Sequence, residues 1–271
     1  MKYFPLCISV FVFGSYSRYI PYYIYSILKS YPEYYVKVFS NTTLSKNEKN
    51  CLTLIADELS SNFTVKENYL SNIKFDQNQV GKTWRFLLPQ KEFKHFEHVY
   101  IGDVDFLIVK EKPSLLEAHL NHCNKIGLPY SNKIRPNTRR MTGLHFYKTK
   151  EYYEKLSSTI DFYLSHPHKL EKKILEYGRN EIFLYELLKE KFGIGKIKKY
   201  PFRPHHGFHL GILRNRNHSK KFNDYINRNR SLHYSELKNL LLSYYEDPIF
   251  KKIMNQLPIK EVTLLYKYLH K

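Results

Sequence analysis

Two carboxylates one residue apart break the apolar run from Tyr100 to Val109, and this interruption constrains the fold more than any other feature of the chain. Val99 to Ile101 and Phe106 to Val109 are rich in β-branched and aromatic residues, the composition of strands buried on both faces. Charge inside such a run is costly, because an unpaired carboxylate taken out of water loses several kcal/mol of hydration. Asp103 and Asp105 therefore require a cation, a basic partner or an exposed strand end. A divalent ion bridging to phosphate groups would relieve their mutual repulsion. The competing reading is a solvated turn between two strands, since D-x-D is short and recurs by chance.

At 271 residues the chain can bury one large α/β core, with or without a small appendage. Phe4 to Phe13 is apolar and preceded by a single Lys. It has no small-residue cleavage site and is too short to span a bilayer, so it reads as the first buried strand. No other segment reaches membrane-spanning length, and the expectation is a cytoplasmic protein, soluble or peripheral on the inner face of the membrane. Cys7, Cys51 and Cys123 form no regular framework, which fits reduced thiols. The formal net charge is +19, concentrated between residues 196 and 230, where ten Lys and Arg face one acid, Asp224. Such a field attracts nucleotides, nucleic acids or acidic lipid head groups without choosing among them. Biased genome composition is the plainer source of the many Tyr, Lys and Asn residues.

Strands and helices alternate along the first half. Ile8 to Phe13 reads as a strand, Gly14 to Ser17 as a turn, and Ile20 to Ser30 as a helix with Pro21 in its first turn. Tyr34 to Phe39 is a second strand. A helix over 45–59 opens with the capping box Ser45 to Glu48. Val80 to Leu88 reads as a helix stopped by Pro89, and Ser114 to about His122 as another. This alternation predicts an α/β fold, a mainly parallel, Rossmann-like sheet flanked by helices, with ligands at the carboxyl ends of the strands. Thr142 to Tyr147 reads as a strand returning to the sheet, and Asn180-Glu181 as the start of a helix reaching Phe192. From Ser231 onward the pattern is helical. Residues 1–211 form the expected α/β domain and 212–271 a basic, helical C-terminal appendage, whose default placement is against the core.

With these pieces in order, the chain resembles glycosyltransferases of the GT-A fold, most closely the glycogenin and lipopolysaccharide galactosyltransferase type, from about residue 5 to 211. Lys82-Thr83-Trp84-Arg85-Phe86-Leu87-Leu88-Pro89 and Tyr100-Ile101-Gly102-Asp103-Val104-Asp105 look like that group's Arg-containing helix and its D-x-D strand. The resemblance implies that Asp103 and Asp105 hold manganese or magnesium against a nucleotide diphosphate, with Arg85 and Lys82 on the nucleotide sugar. Thr142-Gly143 stands where those enzymes carry Asn-x-Gly, implying a sugar contact. Pro204 to Gly211 looks like their late His-x-x-Gly segment, whose His completes the metal site. The Lys-Pro-Trp ending is missing, so the ligand is left open among His205, His206 and His209, with His206 and His209 favoured. Arg214 would replace the phosphate-binding Lys.

The implied reaction moves a sugar from a nucleotide-diphosphate donor to a saccharide or lipid-linked acceptor in surface polysaccharide or lipopolysaccharide synthesis. Metal plus Arg or Lys neutralises the departing phosphates. Asp105 belongs to that catalytic centre, Glu181 is the candidate general base, and Asn180 a candidate acceptor ligand. An ordinary first-turn carboxylate is the alternative for Glu181. The basic C-terminal segment would hold the enzyme near an anionic membrane. Other constellations compete less well. His119, His122 and Cys123 share a helical face but lack a second Cys/His pair for structural zinc, and a solvated face is the better reading. The turn from Gly14 to Arg18 lacks the glycines of a phosphate loop, yet lies where a base or phosphate would bind. A basic nucleic-acid-binding or membrane-binding protein without catalysis is the alternative, but no helix-turn-helix, zinc finger or RNA-recognition signature is present and no specific nucleic-acid partner is expected.

Overall fold

Alternate residues of the first strand, β1 (Cys7–Val12), face opposite sides of a central sheet, and both sides are covered. Ile8, Val10 and Val12 enter one hydrophobic cluster, Cys7 and Phe11 the other. Apart from the buried Ser9 the strand is apolar, because neither face meets water. The computed structural model describes residues 3–71, 73, 78–214, 216–228 and 234–270. After β1 come α1 (Ile20–Ser30), β2 (Tyr35–Ser40), α2 (Lys46–Glu58), β3 (Phe63–Lys66), α3 (Asn78–Thr83) and β4 (His98–Ile101). They are followed by β5 (Phe106–Leu107), α4 (Leu115–Ile126), β6 (Tyr130–Ser131), β7 (His145–Lys148), α5 (Thr149–Ser165), α6 (Pro167–Tyr177), α7 (Asn180–Phe192) and β8 (Phe208–His209). The chain ends in α8 (His218–Arg228), α9 (Tyr234–Glu246), α10 (Pro248–Gln256) and α11 (Lys260–Leu269).

The large sheet has the order β3-β2-β1-β4-β7-β6. β3, β2, β1 and β4 run parallel, as the alternating pattern predicts, whereas β7 is antiparallel to β4 and β6 to β7. The returning strand begins at His145, so Thr142 and Gly143 lie in the loop before it. Asp103 and Asp105 fall just past the end of β4, in the turn to β5. β5 leaves the large sheet and pairs with β8 alone.

Two helices differ from their sequence-based bounds. The helix expected over 80–88 is α3 followed by a tighter 3-10 turn at Trp84–Phe86, where the Leu87 amide bonds the Trp84 carbonyl at 3.0 Å. Pro89 disfavours helical backbone at Leu88, so the helix does not continue past this turn. The helix from Ser114 runs to Ile126, where Gly127 at φ +70° closes it. The Ser45/Glu48 capping box forms as read. The helical pattern from Ser231 onward forms α9, α10 and α11, of which α9 starts at Tyr234; positions 231–233 lie outside the described residues.

Every side chain of α1 except Lys29 is buried, because the helix is enclosed by the sheet on one side and the C-terminal helices on the other. Tyrosine hydroxyls satisfy polar groups across this layer. Tyr22 donates to the Leu257 carbonyl at 2.7 Å, and the Tyr244 and Ser30 hydroxyls meet at 2.6 Å. Cys7, Cys51 and Cys123 are free and buried, and burial pushes the Cys51 thiol up to about 11. Among the described residues no helix is long and apolar enough to cross a membrane.

Asp247 joins the tail to α1. It caps α10 by accepting the Ile249 amide at 2.8 Å and pairs with Lys29 at 2.6 Å. Burial would raise its carboxyl, but Lys29 and the α10 amides hold it below the ordinary value. Its stabilisation is therefore present above the unfolded carboxyl pKa of about 3.9 and is lost as pH falls through the lower folded value. Asp247→Ala is expected to cost about 1–2 kcal/mol at neutral pH. In urea unfolding, the gap between variant and wild type should close below about pH 4.

Candidate functional site

The pairing of β5 with β8 decides which groups meet the aspartates. Phe106 stands opposite His209 and Leu107 opposite Phe208, and the Leu210 amide donates to the Asp105 carbonyl at 2.8 Å. This register puts His209 Nε2 at 3.2 Å from Asp105 Oδ2, with the imidazole stacked on Phe106 at 4.6 Å. Gly207 makes the approach possible. It sits at φ +82°, and a Cβ there would lie 2.8 Å from Ile108 Cα and closer still to the Leu107 carbonyl. Arg214, from the 3-10 turn Leu210–Arg214, ion-pairs with Asp105 and donates to the Tyr16 hydroxyl at 2.6 Å. Burial would raise the Asp105 carboxyl, but His209 and then Arg214 hold it below the usual range. His209 is raised in turn, Asp105 overcoming the effect of burial.

Arg85 ion-pairs with Asp103, and the tightened turn after α3 aims it there. Gly143 accommodates the guanidinium: a Cβ at 143 would stand 2.9 Å from Arg85 Cζ. The cleft so formed is about 340 Å³ and opens at the carboxyl ends of β1 and β4. Phe13 and Tyr16, from the end of β1 and the turn after it, line one side. Lys82, Arg85, Asp103, Asp105, Asn180, Glu181, His209 and Arg214, all read from the sequence as site residues, line it together. Thr142 and Gly143 border an adjoining compartment of about 440 Å³, which shares Arg85, Asp103, Arg135, Glu181 and His209 with the first.

Asn180 and Glu181 open α7. The Asn180 amide nitrogen is buried without a hydrogen-bond partner in the protein. Glu181 pairs with Arg135 at 2.9 Å and with Arg140. Burial would raise this carboxyl, yet the arginines hold it below its ordinary range, which makes it a weak base. Arg135, Arg140 and Arg179 also line the cleft, although the charge around them in the sequence is less dense than that after residue 196. A cluster of Arg at 135, 139 and 140 was the available signal.

Two sequence expectations change. His206 does not stand beside the aspartates. Its Nδ1 meets the Tyr31 hydroxyl at 2.9 Å, and burial pushes the imidazole down to about 3. The turn at Gly207 sends it to the opposite side from His209. His205 lines the adjoining compartment, its ring 5.1 Å from Phe106. The second change concerns His119, His122 and Cys123, which are buried rather than solvated. Both imidazole Nδ1 atoms meet the Ser131 hydroxyl, at 2.9 and 2.8 Å, so the histidines serve a hydrogen-bonded core.

Among the described residues no group of three or more His, Cys, Asp or Glu is arranged to hold an ion as it stands. The donors of Asp103, Asp105 and His209 nevertheless suit manganese or magnesium. Gly211 keeps the space beside them clear, since a Cβ there would lie 2.6 Å from His209 Nε2 and 2.7 Å from Asp105 Oδ2. Arg85 and Arg214 supply the neutralising charge in the present arrangement.

No protein-family model and no curated protein matches the sequence. Solved structures similar to the chain include the glycosyltransferase GlyE of Streptococcus pneumoniae TIGR4, with a TM-score of 0.49 and 10% identity over 98% of this chain and 64% of that one. The galactosyltransferase LgtC, bound to donor and acceptor sugar analogues, has a TM-score of 0.43 and 12% identity over 69% of this chain and 71% of its own. The bifunctional glycosyltransferase WbbM has a TM-score of 0.42 and 10% identity, covering 100% of this chain, which spans 52% of WbbM. The chain thus spans less than two thirds of GlyE and about half of WbbM. At these identities the similarity concerns chain path and carries no statement about substrate.

Gly207→Ala tests the register argument. It is expected to cost on the order of 1–3 kcal/mol in denaturant unfolding, from left-handed backbone strain together with the clash at Leu107. The His209 imidazole should titrate lower in NMR as it loses Asp105, whereas an unchanged titration would refute the link between register and site.

Proposed function

We propose that this chain is a metal-dependent glycosyltransferase that moves a sugar from a nucleotide-diphosphate donor to a saccharide or lipid-linked acceptor. The observation that carries the reading is the meeting of Asp103, Asp105, His209 and Arg214 in one cleft at the carboxyl ends of parallel strands. Such a position is where α/β sheets bind nucleotides, and the residue types are those that phosphate departure demands. The D-x-D and late His-x-x-Gly resemblances point the same way.

Asp103, Asp105 and His209 are the residues that would hold the divalent ion. A bound ion would neutralise charge building on the departing diphosphate. Lys82, Arg85 and Arg214 then face the phosphate oxygens, and Tyr16 and Phe13 offer aromatic surface to the nucleotide end. Asn180 presents its unpartnered amide to a sugar or acceptor hydroxyl. Glu181, read from the sequence as the base, is better suited to fixing Arg135 and Arg140 than to accepting a proton, because their charge weakens it as a base.

The decisive assay measures nucleotide release, UDP or GDP from the diphosphate sugars and CMP from CMP-sugars, with manganese or with EDTA. One donor should turn over only with metal, and Asp103→Ala/Asp105→Ala should lose on the order of 100-fold or more. Absence of both turnover and donor binding across the panel would reject the transferase reading in favour of a basic binding protein.

A role in surface polysaccharide or lipopolysaccharide synthesis follows if the acceptor is membrane-bound. Exposed Lys196, Lys198, Lys199, Arg216, Lys220 and Lys221 suit the anionic cytoplasmic face, each basic residue near the surface contributing about 1 kcal/mol. Sedimentation with anionic vesicles at low salt, released by high salt, is the expected outcome. Failure to sediment at low salt removes the membrane role and leaves the transferase role standing.

A further inference from the structure

The compartment beside Gly143 is lined by cations that the ion pairs of the site do not all match. Its volume is about 440 Å³, and its polar wall includes Lys133, Arg135, Arg203 and His205. Most of the surrounding cations are already matched. Arg85 is paired with Asp103 and Arg203 with Glu111, while Glu181 offers one charge to both Arg135 and Arg140. Lys133 and one guanidinium are left over, since among the described residues no carboxylate stands within ion-pair distance of Lys133.

Lys133 is also built into the site. Its amide donates to Asn132 Oδ1 at 2.6 Å, and its carbonyl accepts the Thr142 amide at 3.0 Å, so the turn that carries Thr142 and Gly143 fixes its backbone. It borders the second compartment and not the first. His205 on the same wall is held neutral, chiefly by burial and then by the neighbouring cations, Lys133 among them. An unpaired ammonium and a half-used guanidinium bordering one open compartment are a receptor for an anion.

We propose that the acceptor is acidic, a saccharide bearing a carboxylate or a phosphate that Lys133 and Arg135 hold. The word acceptor rests on the transferase reading above; the anion site itself does not. Arg135 contributes the planar, two-pronged recognition that carboxylate and phosphate share, and Lys133 the point charge. A neutral sugar in this space would leave Lys133 without a counter-charge and Arg135 with only its share of Glu181. The preference is therefore set by charge already in place rather than by the shape of the ring.

Isothermal titration of the full chain with glucose, glucuronic acid and glucose 6-phosphate, with UDP titrated in parallel, tests this. One acidic sugar should bind at least about tenfold more tightly than glucose, and which one distinguishes carboxylate from phosphate. Lys133→Gln should remove that preference, Lys133→Arg should keep it, and Arg135→Gln provides a second loss should the first variant fold poorly. Equal affinity for glucose and both acids, or an undiminished preference in folded Lys133→Gln, overturns the proposal. UDP binding without any acid preference leaves the transferase reading intact and removes this one. Acid preference through Lys133, with neither binding nor turnover of any donor in the panel above, leaves the anion site standing and removes the transferase reading.

Discussion

Two carboxylates at the mouth of a buried strand must be neutralised, and the rest of the site is arranged around that requirement. Asp105 is buried, so its charge persists only because His209 and Arg214 are brought against it. Both arrive from a segment more than one hundred residues later, through the pairing of two short strands. Asp103 takes its partner from the other direction, after α3. Small residues keep these groups close: Gly143 beneath Arg85, Gly211 beneath His209, and Gly207 at the bend that delivers the strand. The site is thus a set of ion pairs whose spacing is fixed by absent side chains.

The same economy of polar groups runs through the core. A chain with 25 Tyr buries many of them, and each buried hydroxyl needs a partner. Tyr22 and Tyr244 find theirs across the layer between α1 and the C-terminal helices, and Tyr100 donates to the Pro204 carbonyl at 2.9 Å. That last bond ties β4 to the segment leading into β8, so the hydroxyl of a core residue helps position the histidine. The hydroxyls of Tyr23, Tyr25 and Tyr152 are buried without a hydrogen-bond partner, and that of Tyr23 lies where a side chain at position 102 would have to stand.

Periodicity revealed the parallel strands and most helices because burial on two faces leaves an uninterrupted apolar signature, and the Ser45/Glu48 cap is a local motif. The D-x-D pair was legible for a related reason: charge has no cheap place inside such a run. Long-range register was not legible. Nothing local separates His206 from His209, since both sit among Pro, Gly and aromatic residues; only the pairing of Phe106 with His209 does. The antiparallel return of β7 and the burial of His119 and His122 were hidden likewise, because their partner, Ser131, lies on a two-residue strand too short to show a pattern.

Because β8 follows every strand of the large sheet in the chain, the order of synthesis separates scaffold from chemistry. All six strands of that sheet have emerged by Lys148, but the imidazole and guanidinium of Asp105 arrive only with residues 209 and 214. A nascent chain on the ribosome can thus assemble its strand order while Asp105 still lacks both partners. Until they arrive, that carboxylate must remain hydrated, and closure of this corner of the core waits for the last quarter of the polypeptide.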